Sequence, residues 1–387
     1  MEKKIKRTPD KPLVSSLPIH ALPLWEEMKK EKSPITFELE LTARCNNDCR
    51  HCYINLPAGD RAAKARELTF DEIMKIAGES VSMGALWCLL TGGEPLLRED
   101  FVDIYLGLKK KGLLVSVFTD ANLVTKEHAA LFKKYPPRDI EVSVYGVTRE
   151  TYEKVTRKQG SFATFRGGLD LLLESGVKVR LKAMALRSNA HELPEIARFC
   201  RERTKDYFKF DPLLNLRFDG DRARNEMIRA ERLSGQGIAA LESADSERME
   251  SMKKNCELLI GPECAEAACN HLFHCGAGNG GFYISYDGQF RLCSSLLHPD
   301  CVYDLRKGSL AEAWREFIPK VRAMRSEKKS FLEKCRACSL VNLCLWCPAH
   351  AYLETGEMDA SPDYFCEVAE ARAGELKKRI KDGSLPA

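Results

Sequence analysis

The stretch Ile35-Thr-Phe-Glu-Leu-Glu-Leu-Thr-Ala-Arg-Cys45-Asn-Asn-Asp-Cys49-Arg-His-Cys52-Tyr53 decides how this chain is read. Residues 35–41 (ITFELEL) read as a strand that runs straight into a cysteine loop. The loop spacing is C-x3-C-x2-C. Three thiolates this close can face one small inorganic cluster, and iron–sulfur clusters are held by Cys thiolates. Three local ligands leave one iron of a cubane open. Open positions mark catalytic metal sites more than structural ones. A zinc knuckle or unrelated thiols is the alternative for the triplet alone.

Downstream, strands and helices alternate. Residues 68–83 read as an amphipathic helix, 86–90 as a buried strand, 101–111 as a helix and 113–118 as a strand. The series continues with helix 126–135, strand 140–145, helix 162–175 ended by Gly176, strand 177–186, helix 192–203 and strand 207–210. Six strands alternating with helices imply an α/β fold with a parallel sheet. Such sheets collect their ligands at the C-terminal strand ends, and the cysteine loop begins at one of them. After the second strand comes Thr91-Gly92-Gly93-Glu94-Pro95. Glycines let the backbone approach a ligand closely, and a carboxylate can accept from an ammonium group.

The cysteine triplet, the aromatic Tyr53 after it and the Gly-Gly-Glu turn one βα unit later resemble the radical S-adenosylmethionine (SAM) superfamily. The resemblance implies a partial (β/α)6 TIM-like barrel. It implies Cys45, Cys49 and Cys52 as catalytic ligands of a [4Fe–4S] cluster whose open iron chelates SAM. Reduction of that cluster then cleaves SAM to methionine and a 5′-deoxyadenosyl radical. Tyr53, Gly92, Gly93 and Glu94 become SAM-binding residues, with Glu94 on the amino group. Ser143, at the end of the fourth strand, is a candidate beside the ribose or carboxylate. Arg157, ahead of Gly160-Ser161-Phe162, is a candidate partner for the SAM carboxylate. An ordinary surface arginine is the alternative there. Thr119-Asp120-Ala121-Asn122 stands where many relatives read Thr-Asn-Gly, which leaves Asp120 a loop cap or a support for the SAM contacts.

The chain has 387 residues, enough for one large domain and a smaller one. Sixty basic against 56 acidic residues give a net charge of +4, no footprint for nucleic acid or an anionic membrane. The basic start (Lys3, Lys4, Lys6, Arg7) reads as a solvated tail. No run reaches the roughly 18 apolar residues of a membrane span, and no apolar segment follows those lysines as in a secretory signal. A cytoplasmic protein is expected. Its 16 cysteines there argue for metal over disulfides. The expected divisions are an N-terminal arm (1–33) with a helical pattern around 24–30, the core (34–215), a charged helical bridge (216–268) and a cysteine-rich domain (269–387).

In that last part, Cys275 and Cys293 flank GFYISYDGQFRLC, a hairpin pattern turned at Asp287-Gly288. Cys335-x2-Cys338-x5-Cys344-x2-Cys347 and Cys366 follow. The arrangement resembles the SPASM domain, a small C-terminal iron–sulfur extension of radical SAM enzymes that carries two auxiliary [4Fe–4S] clusters. Relatives more often have three residues where Leu345 and Trp346 stand. The interleaved ligation of the family would put Cys335, Cys338, Cys344 and Cys366 on one cluster. Cys275, Cys293 and Cys347 would hold the other, with Cys269 as fourth ligand and Cys256 and Cys264 as rivals. Two four-thiolate zinc sites are the alternative. Cys88 and Cys200 read as small core residues, and His51 as a packing residue of the loop.

A radical that abstracts hydrogen, with clusters to take the leftover electron, favours two-electron oxidation of a carbon centre. The family resemblance implies a ribosomally made precursor peptide or protein as substrate, modified by a C–C, thioether or related crosslink. A separate leader-binding protein and a reductant such as flavodoxin or ferredoxin are the expected partners. Ser294 follows Cys293 where sulfatase maturases tend to have Asp, which argues against formylglycine formation. Oxidative decarboxylation of a small molecule such as a tetrapyrrole is the second reading. A non-catalytic iron–sulfur or zinc protein is the third.

Overall fold

The strand that opens the sequence, β1 (Thr36–Thr42), lies inside a nine-stranded sheet. The structure, a computed structural model, describes residue 30 and residues 32–206, 208–253 and 270–381. The expected N-terminal arm therefore falls almost wholly outside the described residues. Five further strands follow β1 in chain order: β2 (Trp87–Gly92), β3 (Leu114–Thr119), β4 (Asp139–Ser143), β5 (Val179–Met184) and β6 (Lys209–Asp211). Each pairs in parallel with its predecessor. Six parallel strands thus lie side by side in chain order, the α/β arrangement that the family resemblance implies.

Helices cover one face because every second strand residue there is apolar. Phe37, Leu39, Leu90, Val115, Val117, Ile140 and Val142 are completely buried. Helix Phe70–Ser82 sets Ile73, Ile76 and Ala77 against them, and Thr69 and Glu72 close a reciprocal capping box at its start. Helix Phe101–Lys110 adds Phe101, Ile104, Tyr105 and Leu108. A fully buried side chain of this size contributes about 1.5–3 kcal/mol. Cys88 and Cys200 lie in this core, each 1% exposed. Helix Arg149–Thr156, capped by Thr148, is not foreseen from the sequence. It buries only Thr151, Tyr152, Val155 and Thr156, too thin an apolar stripe to stand out.

The hairpin pattern folds as expected, but it does not stand apart from the core. Its strands β7 (Gly281–Ile284) and β8 (Gln289–Arg291) are antiparallel, and β7 pairs in parallel with the free edge of β1. β9 (Tyr303–Asp304) ends the sheet on that side. Phe37 stacks on Phe282 with ring centroids 5.6 Å apart, so the seam is also a packed one. The sheet thus continues past residue 269, with β1–β6 before it and β7–β9 after it. The bridge is helical where described: Arg222–Glu231, Gly235–Ala244 and Ser246–Lys253. Among the described residues no helix is long and apolar enough to cross a membrane.

Candidate active site at the C-terminal strand ends

The chain is fastened before the cysteines begin. Buried Arg44 donates from Nε to Glu67 at 2.7 Å and from Nη1 to the Ala58 carbonyl at 2.8 Å. Cys45, Cys49 and Cys52 then line a cavity of about 290 Å³ with Tyr53, Gly92, Gly93, Asp120 and Ser143. The loop is clamped from outside. The Asp48 and Arg50 amides donate to the Thr156 and Val155 carbonyls at 2.9 and 3.1 Å. Arg217 donates from Nη1 to the Cys52 and Asn55 carbonyls at 3.4 and 3.2 Å, and it pairs with Asp219. Arg157 joins this clamp rather than the cavity wall. It ends its helix in the left-handed conformation (φ 54°), with Nε 3.4 Å from Asp48.

The Gly-Gly-Glu turn crosses directly over the end of β1. Gly93 N donates to Thr42 O at 2.7 Å and Glu94 N to Arg44 O at 3.0 Å. A Cβ on Gly93 would lie 2.2 Å from Arg44 O, and one on Gly92 (φ +139°) would lie 2.2 Å from Thr42 O. Backbone cannot yield as a flexible side chain does. Gly93→Ala is therefore expected to cost about 2–3 kcal/mol, read from urea unfolding. An unchanged midpoint and slope would mean the turn can shift.

Glu94 itself is fully buried beneath the cavity wall. Its carboxylate accepts from Leu96 N at 3.0 Å, Thr119 Oγ1 at 2.9 Å and Asp120 N at 2.8 Å. Asp120 faces the cavity and accepts from Asn47 Nδ2 at 2.6 Å and Asn122 N at 2.9 Å. Burial, and then the neighbouring Asp120 charge, push the Glu94 carboxyl well above the usual range; burial raises Asp120 too. The Asp120 charge thus makes its neighbour Glu94 harder to ionise. Burial also drives the Cys45 and Cys49 thiols up, with Asp120 the next cause for Cys45 and Cys52 for Cys49. The thiolate is the metal-binding form, so loading a metal here releases protons.

The far wall consists of strand-end side chains that the sequence reading did not single out. Phe118, Lys182, Met184, Asp211 and Asn215 line it. Lys182 pairs with Glu141, and its ammonium lies 4.1 Å from the Phe118 ring centroid. The available signal was positional: inward alternates at C-terminal ends of parallel strands. Ser143 lies on the same wall beside Tyr145. His51 packs edge-on against Tyr145 at 5.1 Å, and burial lowers its pKa to about 4.

Two further groups of thiols lie in the C-terminal part. Cys335, Cys338, Cys344 and Cys366 line one cavity of about 430 Å³, with Ser361 Oγ 3.4 Å from Cys366 Sγ. Cys275, Cys293 and Cys347 form the other group: burial, and then the charges of Cys347 and Cys275, push the Cys293 thiol up to about 11, and Cys275 also acts on Cys347 after burial. The short spacing before Cys347 is absorbed by Leu345, which turns the chain in the left-handed conformation (φ 54°). Cys256, Cys264 and Cys269 lie outside the described residues. Cys301 is completely buried, its sulfur 3.8 Å from those of Met324 and Met358. Thiols that ring a cavity fit the donor set of an iron–sulfur cluster, and four thiolates also fit zinc.

Residues 39–200 match the radical SAM superfamily. This part of the chain is a radical SAM domain. The chain is also 25% identical over 340 residues to the AdoMet-dependent heme synthase of Methanosarcina barkeri, across 84% of this chain and 94% of that one. Over 179 residues it is 28% identical to the subtilosin biosynthesis protein AlbA of Bacillus subtilis, covering 46% of this chain and 39% of AlbA. Its fold is similar to SuiB of Streptococcus suis bound to the precursor peptide SuiA. The TM-score is 0.66 at 16% identity, over 88% of this chain and 78% of SuiB.

Proposed function

We propose that this radical SAM enzyme oxidatively modifies a ribosomally made peptide, with two auxiliary [4Fe–4S] clusters in its C-terminal part. The observation that carries the reading is the grouping of ten described cysteines around three separate places, one of them beside the Gly-Gly-Glu turn. Cys45, Cys49 and Cys52 would hold the SAM-binding cluster. Cys335, Cys338, Cys344 and Cys366 would hold one auxiliary cluster; Cys275, Cys293 and Cys347 would hold the other, completed by Cys269 or one of its rivals. Loaded with cluster and SAM, the site supplies a 5′-deoxyadenosyl radical that takes hydrogen from an unactivated carbon. The protein's part is placement. Gly92 and Gly93 bring backbone to the cavity, Asp120 offers a carboxylate there, and Ser143 and Tyr53 close its sides.

A peptide suits this cavity because the wall beyond β6 is chain with neither helix nor strand, beside the sheet's last strand. Leu213, Leu214 and Asn215 line it next to Asp211 at the sheet's open edge. AlbA and SuiB, named above with a bacteriocin and a precursor peptide, point the same way. A tetrapyrrole substrate is the second reading, favoured by the end-to-end likeness to a heme synthase. Anaerobic reconstitution should give about 12 irons per chain, three cubanes' worth, with a supplied electron source such as flavodoxin. Mass spectrometry of a co-expressed neighbouring precursor peptide should then show a loss of about two mass units, one dihydrogen equivalent. Zinc in place of iron would sink the cluster reading. An unchanged peptide beside a decarboxylated porphyrin would move the substrate to the second reading.

A further inference from the structure

A second chamber of about 320 Å³ lies across Tyr53 and Ile54 from the SAM cavity; those two residues line both. It is the space enclosed where the hairpin joins β1, and Glu40, Phe218, Tyr286 and Arg291 line it, with exposed Arg66 also on its wall. Arg291 is 3% exposed. Of its five guanidinium N–H donors, one hydrogen bond is made, from Nη1 to Ser294 O at 3.3 Å. Its Nε is buried and has no partner among the described residues. The guanidinium stacks over the Tyr283 ring at 4.7 Å and near Phe218 at 5.9 Å.

The acids around it are engaged by other donors, and burial raises the Glu40 carboxyl to about 7 although the Arg291 charge draws it back. Glu40 accepts from the Tyr283 hydroxyl, Asp287 from Ser285 Oγ at 2.5 Å, and Asp219 from Arg217. Burying a charge is costly unless it is paired and hydrogen-bonded, and a planar guanidinium binds carboxylates through two parallel bonds. A nearly buried arginine with spare donors, in a chamber whose nearest acid is held up to about 7 by burial, has room for a further anion.

We propose that this chamber is an anion subsite in which Arg291 takes an aliphatic carboxylate of the substrate, so that the bond to be oxidised is presented past Tyr53. The proposal rests on the reading that an organic substrate reacts beside the cluster loop. Two sources share this chemistry: an acidic residue of a peptide and a propionate arm of a tetrapyrrole.

The test uses the reconstituted full chain with SAM, titrated calorimetrically with glutarate and with its neutral analogue glutaramide. Glutarate should bind and glutaramide should not. Hydrogen exchange should slow at residues 286–292 when glutarate is added. Arg291→Met should weaken glutarate at least tenfold, and Arg291→Lys should recover part of that loss. Should Arg291→Met fail to fold, the glutarate–glutaramide difference and the exchange map on the unaltered protein decide alone. No glutarate binding, equal binding of both compounds, or full affinity in folded Arg291→Met would overturn the proposal.

Competition then identifies the source. A Gly-Glu-Gly peptide amide against its Gln form tests the peptide, and iron coproporphyrin III against its methyl ester tests the tetrapyrrole. Failure of both acids to displace glutarate would also overturn the proposal. SAM binding, read from the paramagnetic resonance of the reduced cluster, reports separately on the radical SAM reading.

Discussion

Replacing Cys45, Cys49 and Cys52 together with Ala should bring 5′-deoxyadenosine formation with dithionite down to background. Iron should fall from about 12 to about 8 per chain, the loss of one cubane. The remaining absorbance near 400 nm should persist, because the other thiols sit on elements other than the cluster loop. Cys344 packs in a separate apolar cluster with Phe365, Ala369 and Leu376, and helix Asp363–Lys381 carries Cys366. The loop itself should survive the change. Its position depends mainly on backbone bonds from Asp48 and Arg50 and on Arg217; the sulfurs add a bond from Asn47 N to Cys45 Sγ at 3.4 Å. The substitution thus separates chemistry from folding. Continued 5′-deoxyadenosine formation would remove the catalytic assignment. Loss of all iron would mean that the three sites load as one unit.

Most of the frame was legible in the sequence because it is local. The strand patterns at 35–41, 86–90 and 113–118 lie within two residues of the observed strands. The Asp287-Gly288 turn carries its own signal, since Gly288 takes φ +85° where a side chain would be strained. What was not legible depends on contacts between distant segments. That β7 would occupy the free edge of β1 follows from Phe282 meeting Phe37, about 240 residues away in the chain. Arg157 reads as a SAM partner by position, but its left-handed helix end swings it to Asp48. Lys182 and Asp211 carry no motif at all; only the shared direction of strand ends gathers them. The Gly-Gly-Glu motif reads Glu94 as the partner of the SAM amino group, whereas its carboxylate is directed at Leu96 N, Thr119 Oγ1 and Asp120 N.

That direction makes a sharp prediction. Glu94→Ala should destabilise the protein by about 3–5 kcal/mol even before any cluster or SAM is present. The reason is a count of stranded donors. Leu96 N, Thr119 Oγ1 and Asp120 N all give to this one carboxylate in a site with no solvent. Each buried donor left without a partner costs about 1–3 kcal/mol. Asp120 would lose its amide anchor in the same step, so the cavity-facing carboxylate should move and SAM affinity should fall as a consequence. Glu94→Gln keeps one carbonyl acceptor and turns the other position into a donor facing Asp120 N. It should therefore lie between wild type and Glu94→Ala in stability. Urea unfolding of the metal-free chain measures the first effect, and calorimetric SAM titration of the reconstituted chain measures the second. If Glu94→Ala unfolds like wild type yet loses SAM, the carboxylate acts on the ligand directly and the buried geometry misstates its role. If stability and SAM affinity fall together, and Asp120→Asn lowers affinity alone, then Glu94 holds the wall and Asp120 faces the ligand.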